Sequence, residues 1–109
     1  MIKLAIVGFG HVGKAAYEAA LAAPDMTVSC IVEVPGVPVP FALKDFWVTD
    51  LHDIRACGEA DAAILCLPSR LCPDAAETLL SMGIPVAWIY PANRFVIHRV
   101  VKKEEDGDA

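Results

Sequence analysis

The sequence lacks any apolar run close to the ~20 residues that an α-helix needs to cross a bilayer. Its first seven residues, Met1 to Val7, have neither the length nor the small-residue cleavage site of a secretory leader. We therefore expect a cytoplasmic chain that has no membrane partner.

Positive charge is also scarce. Nine Lys and Arg residues stand against 14 Asp and Glu residues, the formal net charge is −5, and the basic residues are scattered along the chain. Nucleic-acid binding needs a basic surface that displaces counterions, so we expect no nucleic-acid partner. Acidic residues gather at the end, and residues 102–109 are predicted to form a disordered acidic tail.

The four cysteines include no Cys-x-x-Cys pair, which is the close spacing typical of zinc and redox sites. Cys30 and Cys66 fall within apolar segments, where a thiol behaves as a small hydrophobic side chain. We therefore predict buried structural thiols and no metal site.

Apolar residues make up 56% of the chain, and strand-like and helix-like segments alternate along it. This pattern favours a parallel sheet with right-handed crossovers and helices on both faces. The sequence predicts one α/β domain over residues 1–101, a Rossmann-type doubly wound parallel sheet in three α/β/α layers. The predicted strands span 2–7, 27–32, 46–48, 62–67, 86–90 and 95–101, and the predicted helices span 12–22, 50–58 and 73–82.

Two local features refine this prediction. Apolar residues at Val12, Ala16, Ala19 and Ala20 predict that one face of the first helix packs on the sheet. Between the second and third strands, residues 33–43 include three prolines, which remove backbone donors and disfavour a helix. We expect the usual crossover helix there to be shortened or replaced by a loop.

A glycine-rich turn follows the first strand and opens the first helix: Gly8, Phe9, Gly10, His11, Val12 and Gly13. In this context Gly8 permits the tight turn, Gly10 lets a pyrophosphate approach the backbone, and Gly13 lets the helix pack closely on the strand. The start of the helix adds free N–H groups and partial positive charge. The sequence therefore predicts a dinucleotide, NAD or NADP, at this turn.

An acidic residue stands at the matching distance from the turn. Glu33 closes the second strand 20 residues after Gly13, where a carboxylate accepts hydrogen bonds from the adenosine ribose. It would repel a 2′-phosphate, and the next basic residue is Lys44, so NAD is favoured over NADP. The alternative is a solvent-facing glutamate at the end of a strand.

The fourth strand leads into Leu67, Pro68, Ser69 and Arg70. Loops at the carboxyl ends of strands border the ligand in open α/β sheets, so Ser69 and Arg70 could contact the nicotinamide half or the phosphates. Alternatively, Pro68 and Ser69 only prepare the following helix. None of the three histidines is predicted to be catalytic, and His11 is expected to face solvent.

A family resemblance rests on residues 1–13, Ala23-Pro24-Asp25-Met26, Val39-Pro40-Phe41 and residues 61–70. Over residues 1–87 the chain resembles the cofactor domain of meso-diaminopimelate dehydrogenase and of dehydrogenases of the glucose-fructose oxidoreductase type. The resemblance implies reversible oxidative deamination of an amino acid with NADP, which serves lysine synthesis. It also implies that residues 8–13 bind the pyrophosphate, Glu33 the ribose, and residues 67–70 the nicotinamide half.

The sequence departs from that family in three ways. Residues 88–94 carry no carboxylate where the family has one, the basic residues that select NADP directly after the second strand are missing, and the chain stops before a substrate domain. We therefore expect cofactor binding with a small-molecule substrate held elsewhere, no turnover by this chain alone, unassigned catalytic residues, and a homo-oligomer. Residues 83–91 also resemble NADH-sensing domains of repressors and CoA-binding Rossmann domains, so a non-catalytic sensor is the alternative. A third interpretation is an inert remnant of such a protein, whose glycine turn binds a dinucleotide only weakly.

Overall fold

The computed structural model describes residues 1–89 and 95–98 of the chain. Its strands are β1 (Ile2–Val7), β2 (Met26–Val32), β3 (Trp47–Val48), β4 (Ala62–Leu65), β5 (Val86–Ile89) and β6 (Phe95–His98), and its helices are α1 (His11–Ala22) and α2 (Cys72–Ser81). Short 3₁₀ turns occupy Phe41–Phe46, Leu51–Asp53 and Ser69–Leu71. Within the described residues, neither helix has the length and apolarity to cross a membrane.

The strands form a single sheet in the order β3-β2-β1-β4-β5-β6. The first five strands are parallel, so the predicted Rossmann-type α/β fold is confirmed. The sixth strand at the edge differs from the other five, because β6 pairs antiparallel with β5. Strand order reverses beside β1, which has β2 on one side and β4 on the other. That switch point is where open α/β sheets bind ligands.

The two faces of the sheet carry separate hydrophobic clusters. On one face, Ala5 and Val7 of β1 pack in a cluster that includes Leu79 of α2. On the other face, Ile6 packs with Phe9 and with Leu43 of the 3₁₀ turn Phe41–Phe46. The alternation follows from the two-residue period of a strand. The predicted three-layer arrangement therefore holds around β1.

Two predicted segments differ in the structure. The predicted helix over 50–58 is only the 3₁₀ turn Leu51–Asp53, which Asp50 caps by accepting the His52 N–H at 2.8 Å. A helix of only nine residues gives few hydrogen bonds in return for the cost of nucleation. As predicted, no long helix joins β2 to β3, and a 3₁₀ turn stands in its place. Residues 99–101 of the predicted sixth strand and the predicted tail lie outside the described residues.

The predicted packing face of α1 is only partly correct. Ala20 and Gly13 are buried, but Ala19 is exposed and Val12 is 54% exposed. Val12 and Ala19 instead border an apolar groove of about 350 Å³ between α1 and the exposed side of β4, and Ile64 forms part of its floor. α1 covers β1 and β2, and no helix among residues 1–89 covers this side of β4.

Candidate functional site

The glycine-rich turn lies at the carboxyl end of β1, between the ends of β2 and β4. The Gly8 N–H donates to the Val32 carbonyl at 2.8 Å, and the Cys66 N–H donates to the Val7 carbonyl at 2.7 Å. These two bonds tie the turn to both neighbouring strands at the point where the strand order reverses. The predicted glycine turn and Glu33 thus lie together in the structure.

Two of the three glycines are required by the fold itself. Gly8 has a φ of +93°, and a Cβ on it would lie 2.7 Å from the Cys66 carbonyl oxygen. A Cβ on Gly13 would collide with the backbone carbonyl of Gly8, so only glycine lets α1 approach the turn this closely. Gly8 in the tight turn and Gly13 in the close helix packing thus have the structural roles predicted from the motif, and their contact with a pyrophosphate stays a prediction.

Gly10 is different, because the protein does not fill the space beside it. A Cβ built on Gly10 meets no atom within 4 Å, and its φ of −82° is accessible to any residue. Packing within the described chain therefore does not require glycine here. The open space is suited to a group that approaches the backbone from outside.

The amide groups beside Gly10 are available to such a group. Lys14 makes the first intrahelical hydrogen bond, from its N–H to the Gly10 carbonyl at 2.9 Å. The amides of His11, Val12 and Gly13 therefore precede the hydrogen-bond ladder of α1. No side chain caps this end, and the first turn holds no acidic residue that would offset its partial positive charge. The arrangement suits an anion.

Phe9, predicted to contact the pyrophosphate, is placed differently from its neighbours. The residue is 9% exposed, and its ring makes edge-to-face contacts with Tyr17 at 5.8 Å and Trp47 at 5.6 Å between ring centres. Its N–H donates to Glu33 Oε2 at 2.8 Å. The Phe9 amide therefore already has an acceptor, which leaves the later amides to face a phosphate.

Glu33 is half-buried and points back to the glycine turn. Besides the Phe9 amide on Oε2, its Oε1 accepts the Val34 N–H at 2.8 Å. It is therefore not the free surface glutamate of the alternative interpretation. Lys44, the next basic residue, has its Nζ 4.5 Å from the centre of the Phe41 ring, which gives that cation a partner of its own.

The four predicted residues after β4 divide into two groups. Leu67 reaches the turn, since a Cβ on Gly8 would lie 3.1 Å from its Cδ2. Pro68, Ser69 and Arg70 are exposed, and the Leu71 N–H donates to the Pro68 carbonyl at 2.9 Å in the 3₁₀ turn that leads into α2. Pro68 and Ser69 therefore do prepare the helix, while the exposure of Arg70 leaves its side chain accessible to a ligand.

The cysteines are suited to packing. All four are free thiols, and among the described residues no cluster of His, Cys, Asp or Glu is arranged to hold a metal ion. Burial raises the pKa of the Cys66 thiol to about 11 and, with a smaller contribution from Cys57, that of Cys30 to about 12. Both thiols are protonated at neutral pH and are poor nucleophiles.

Sequence reasoning missed the aromatic contacts that hold Phe9. Tyr17 lies on α1 and Trp47 on β3, and the indole N–H of Trp47 is a buried donor without a partner among the described residues. The one available signal was an aromatic side chain inside the glycine turn itself. Its partners come from distant segments, so no local pattern identifies them.

The chain is similar in sequence to part of a known dehydrogenase. It is 38% identical over 84 residues to the meso-diaminopimelate D-dehydrogenase of Bacteroides fragilis. The aligned region covers 76% of this chain and 27% of that protein. No protein-family model matches the chain.

Solved structures agree with this similarity. The WlbA dehydrogenase of Bordetella pertussis, in complex with NADH and UDP-GlcNAcA, superposes with a TM-score of 0.71 at 25% identity. The superposed region covers 98% of this chain and 31% of the WlbA chain. A Gfo/Idh/MocA family oxidoreductase from Vibrio cholerae superposes with a TM-score of 0.64 at 23% identity over 84% of this chain and 30% of its own. The chain thus spans roughly 27–31% of the length of these relatives. The predicted resemblance, to the N-terminal part of such dehydrogenases, is confirmed.

Proposed function

We propose that this chain, which resembles the N-terminal part of diaminopimelate dehydrogenase and of Gfo/Idh/MocA oxidoreductases, binds NAD(H) at its glycine turn. The observation that carries the proposal is the unfilled space at Gly10, flanked by the three free amides of residues 11–13. A diphosphate approaching Gly10 accepts hydrogen bonds from those amides and is stabilised by the positive end of α1. The B. pertussis relative, solved with NADH, supports this ligand class.

Glu33 favours NAD over NADP at this site. Its carboxylate lies beside the turn, at the end of β2, where the adenosine ribose of a bound dinucleotide would be placed. The adenosine ribose of NAD offers two hydroxyl donors to the carboxylate. In NADP the 2′-phosphate replaces one of these hydroxyls, and its negative charge is repelled by the carboxylate. Among the described residues no Lys or Arg forms an ion pair with Glu33, so no such pair offsets that repulsion.

Residues 67–70 complete the cofactor site in this proposal, with Leu67 and Arg70 beside the nicotinamide half. When bound, the nicotinamide would accept or donate a hydride. The full reaction we propose is oxidative deamination of an amino acid of the diaminopimelate class, in cytoplasmic lysine synthesis, as the similarity to the B. fragilis enzyme suggests. In this proposal the described residues supply the cofactor half of the site.

Titration with NADH, NADPH and CoA tests the proposal. Trp47 contacts Phe9 of the turn, so we expect its fluorescence to change on saturation with NADH. NADH should bind at least about tenfold more tightly than NADPH, a difference of about 1.4 kcal/mol. A response to CoA alone would favour the non-catalytic sensor instead, and no response to any dinucleotide would refute the proposal.

We also propose that the chain self-associates. The groove between α1 and β4 is lined almost entirely by apolar atoms, and exposed apolar surface of this kind favours association. Light scattering at increasing protein concentration should therefore show a mass above that of the 11.7 kDa monomer. A monomer at millimolar concentration would rule this out.

A further inference from the structure

We propose that Glu33 is a positioning residue for the glycine turn, and that it holds the turn in its binding form before any dinucleotide arrives. The function of that form rests on the proposed NAD(H) site, but the contact itself belongs to the unliganded chain. A glutamate that only recognised the ribose would have no part in ordering the turn.

Both oxygens of the carboxylate are engaged with the backbone. Oε2 accepts the Phe9 N–H and Oε1 accepts the Val34 N–H, each at 2.8 Å. Hydrogen bonds to an ionised acceptor are about twice as strong as those between neutral groups. Phe9 and Val34 lie on different segments, so one carboxylate joins the β1–α1 turn to the chain that leaves β2.

Phe9 is therefore held at both ends. Its amide is bonded to Glu33, and its ring is packed against Tyr17 and Trp47. Gly10 follows directly and is the N-cap of α1. The position of Phe9 thus sets how the free amides of residues 11–13 are presented. Without the carboxylate, the Phe9 amide would lose its acceptor, and a half-buried turn would be left with an unpaired donor.

The carboxylate retains capacity for the ligand. A carboxylate offers about four acceptor sites, and the two amides use two of them. The remaining two match the two hydroxyl donors of a vicinal diol. One side chain therefore couples the order of the phosphate-binding turn to the choice of ribose, so removing its charge should weaken both functions together.

Glu33→Gln tests the inference with little change in shape. Glutamine has a single acceptor oxygen and an NH₂ group that cannot accept, so one of the two amides loses its partner. In the unliganded chain, we expect hydrogen exchange at the Phe9 amide to accelerate at least about tenfold, measured by NMR relative to the slowest-exchanging amides of β1. We also expect the affinity for NADH to fall by about tenfold or more, and the affinity for NADPH to fall less, because the repulsion of its 2′-phosphate is relieved.

Glu18→Gln is the matched control. Glu18 lies exposed on α1, and its substitution by glutamine removes the same charge. It should leave both Phe9 exchange and NADH affinity within about twofold of the parent chain. Unchanged exchange at Phe9 in Glu33→Gln would overturn the inference, as would an NADH affinity equal to that of the parent chain. Hydrogen exchange at Phe9 is measured without ligand. If the parent chain failed to bind NADH, the proposed function would be refuted, but the exchange measurement would still decide whether Glu33 orders the turn.

Discussion

Replacing Gly10 with leucine is expected to abolish NADH binding while the fold stays intact. A Cβ at Gly10 meets no protein atom within 4 Å, so a side chain there projects into open space. In the proposed complex this space holds the diphosphate, and even one methyl group would keep it away from the backbone amides. We expect Gly10→Ala to weaken NADH at least about tenfold, and Gly10→Leu to lose detectable binding at about 1 mM NADH, which is where weak complexes are measured.

The same variants should unfold at nearly the denaturant concentration of the parent. Gly10 is the N-cap of α1, where alanine is less favourable than glycine, so a loss of up to about 1 kcal/mol is expected. Ala22→Leu is the control, since it adds comparable bulk at the exposed far end of the same helix and should leave affinity unchanged. Unchanged NADH affinity in Gly10→Leu would show that the diphosphate does not lie on this turn.

Gly13→Ala should have the opposite profile, a large loss of stability in the unliganded chain. A methyl group there collides with the backbone carbonyl of Gly8, and backbone cannot move aside as a flexible side chain can. To relieve the collision, α1 must shift away from β1, which opens the cluster around Ile6 and Phe9. We expect a loss of about 3 kcal/mol, at the upper end of the usual range for overpacking.

Urea denaturation followed by circular dichroism measures this loss, and the thermal midpoint should fall by roughly 12 °C or more for a domain of this size. Ala15→Gly is a useful control, because it changes a neighbouring exposed helix position by one methyl group in the other direction and should cost only about 1 kcal/mol. Equal stability of Gly13→Ala and the parent would mean that α1 does not pack on the turn as described.

The central strands and both α-helices were predictable because each carries a local signal. The run of residues 4–7 is apolar, the glycine turn marks the start of α1, and Pro73 and Gly83 bracket α2. The predicted helix over 50–58 failed because an N-capping Asp50 indicates where a helix can begin and not how far it continues. The antiparallel direction of β6 depends on its pairing with β5, so the residues of β6 alone do not predict it.

The site was predictable in position more than in detail. The spacing of Gly13 and Glu33 predicted that the carboxylate lies near the turn, since β1 and β2 are adjacent and parallel. It did not predict the hydrogen bond from Phe9 to Glu33, which depends on how two strand ends meet in three dimensions. Val12 was expected in the core by helical period, yet it borders the groove because α1 leaves β4 uncovered.

The most direct test is an NMR titration of the chain with NADH, monitored at the backbone amides of the glycine turn. If the dinucleotide binds as proposed, the amides of His11, Val12 and Gly13 shift saturably and together, while that of Phe9, which is bonded to Glu33, shifts less. Saturable shifts elsewhere, with these three amides unmoved, would contradict the proposed site.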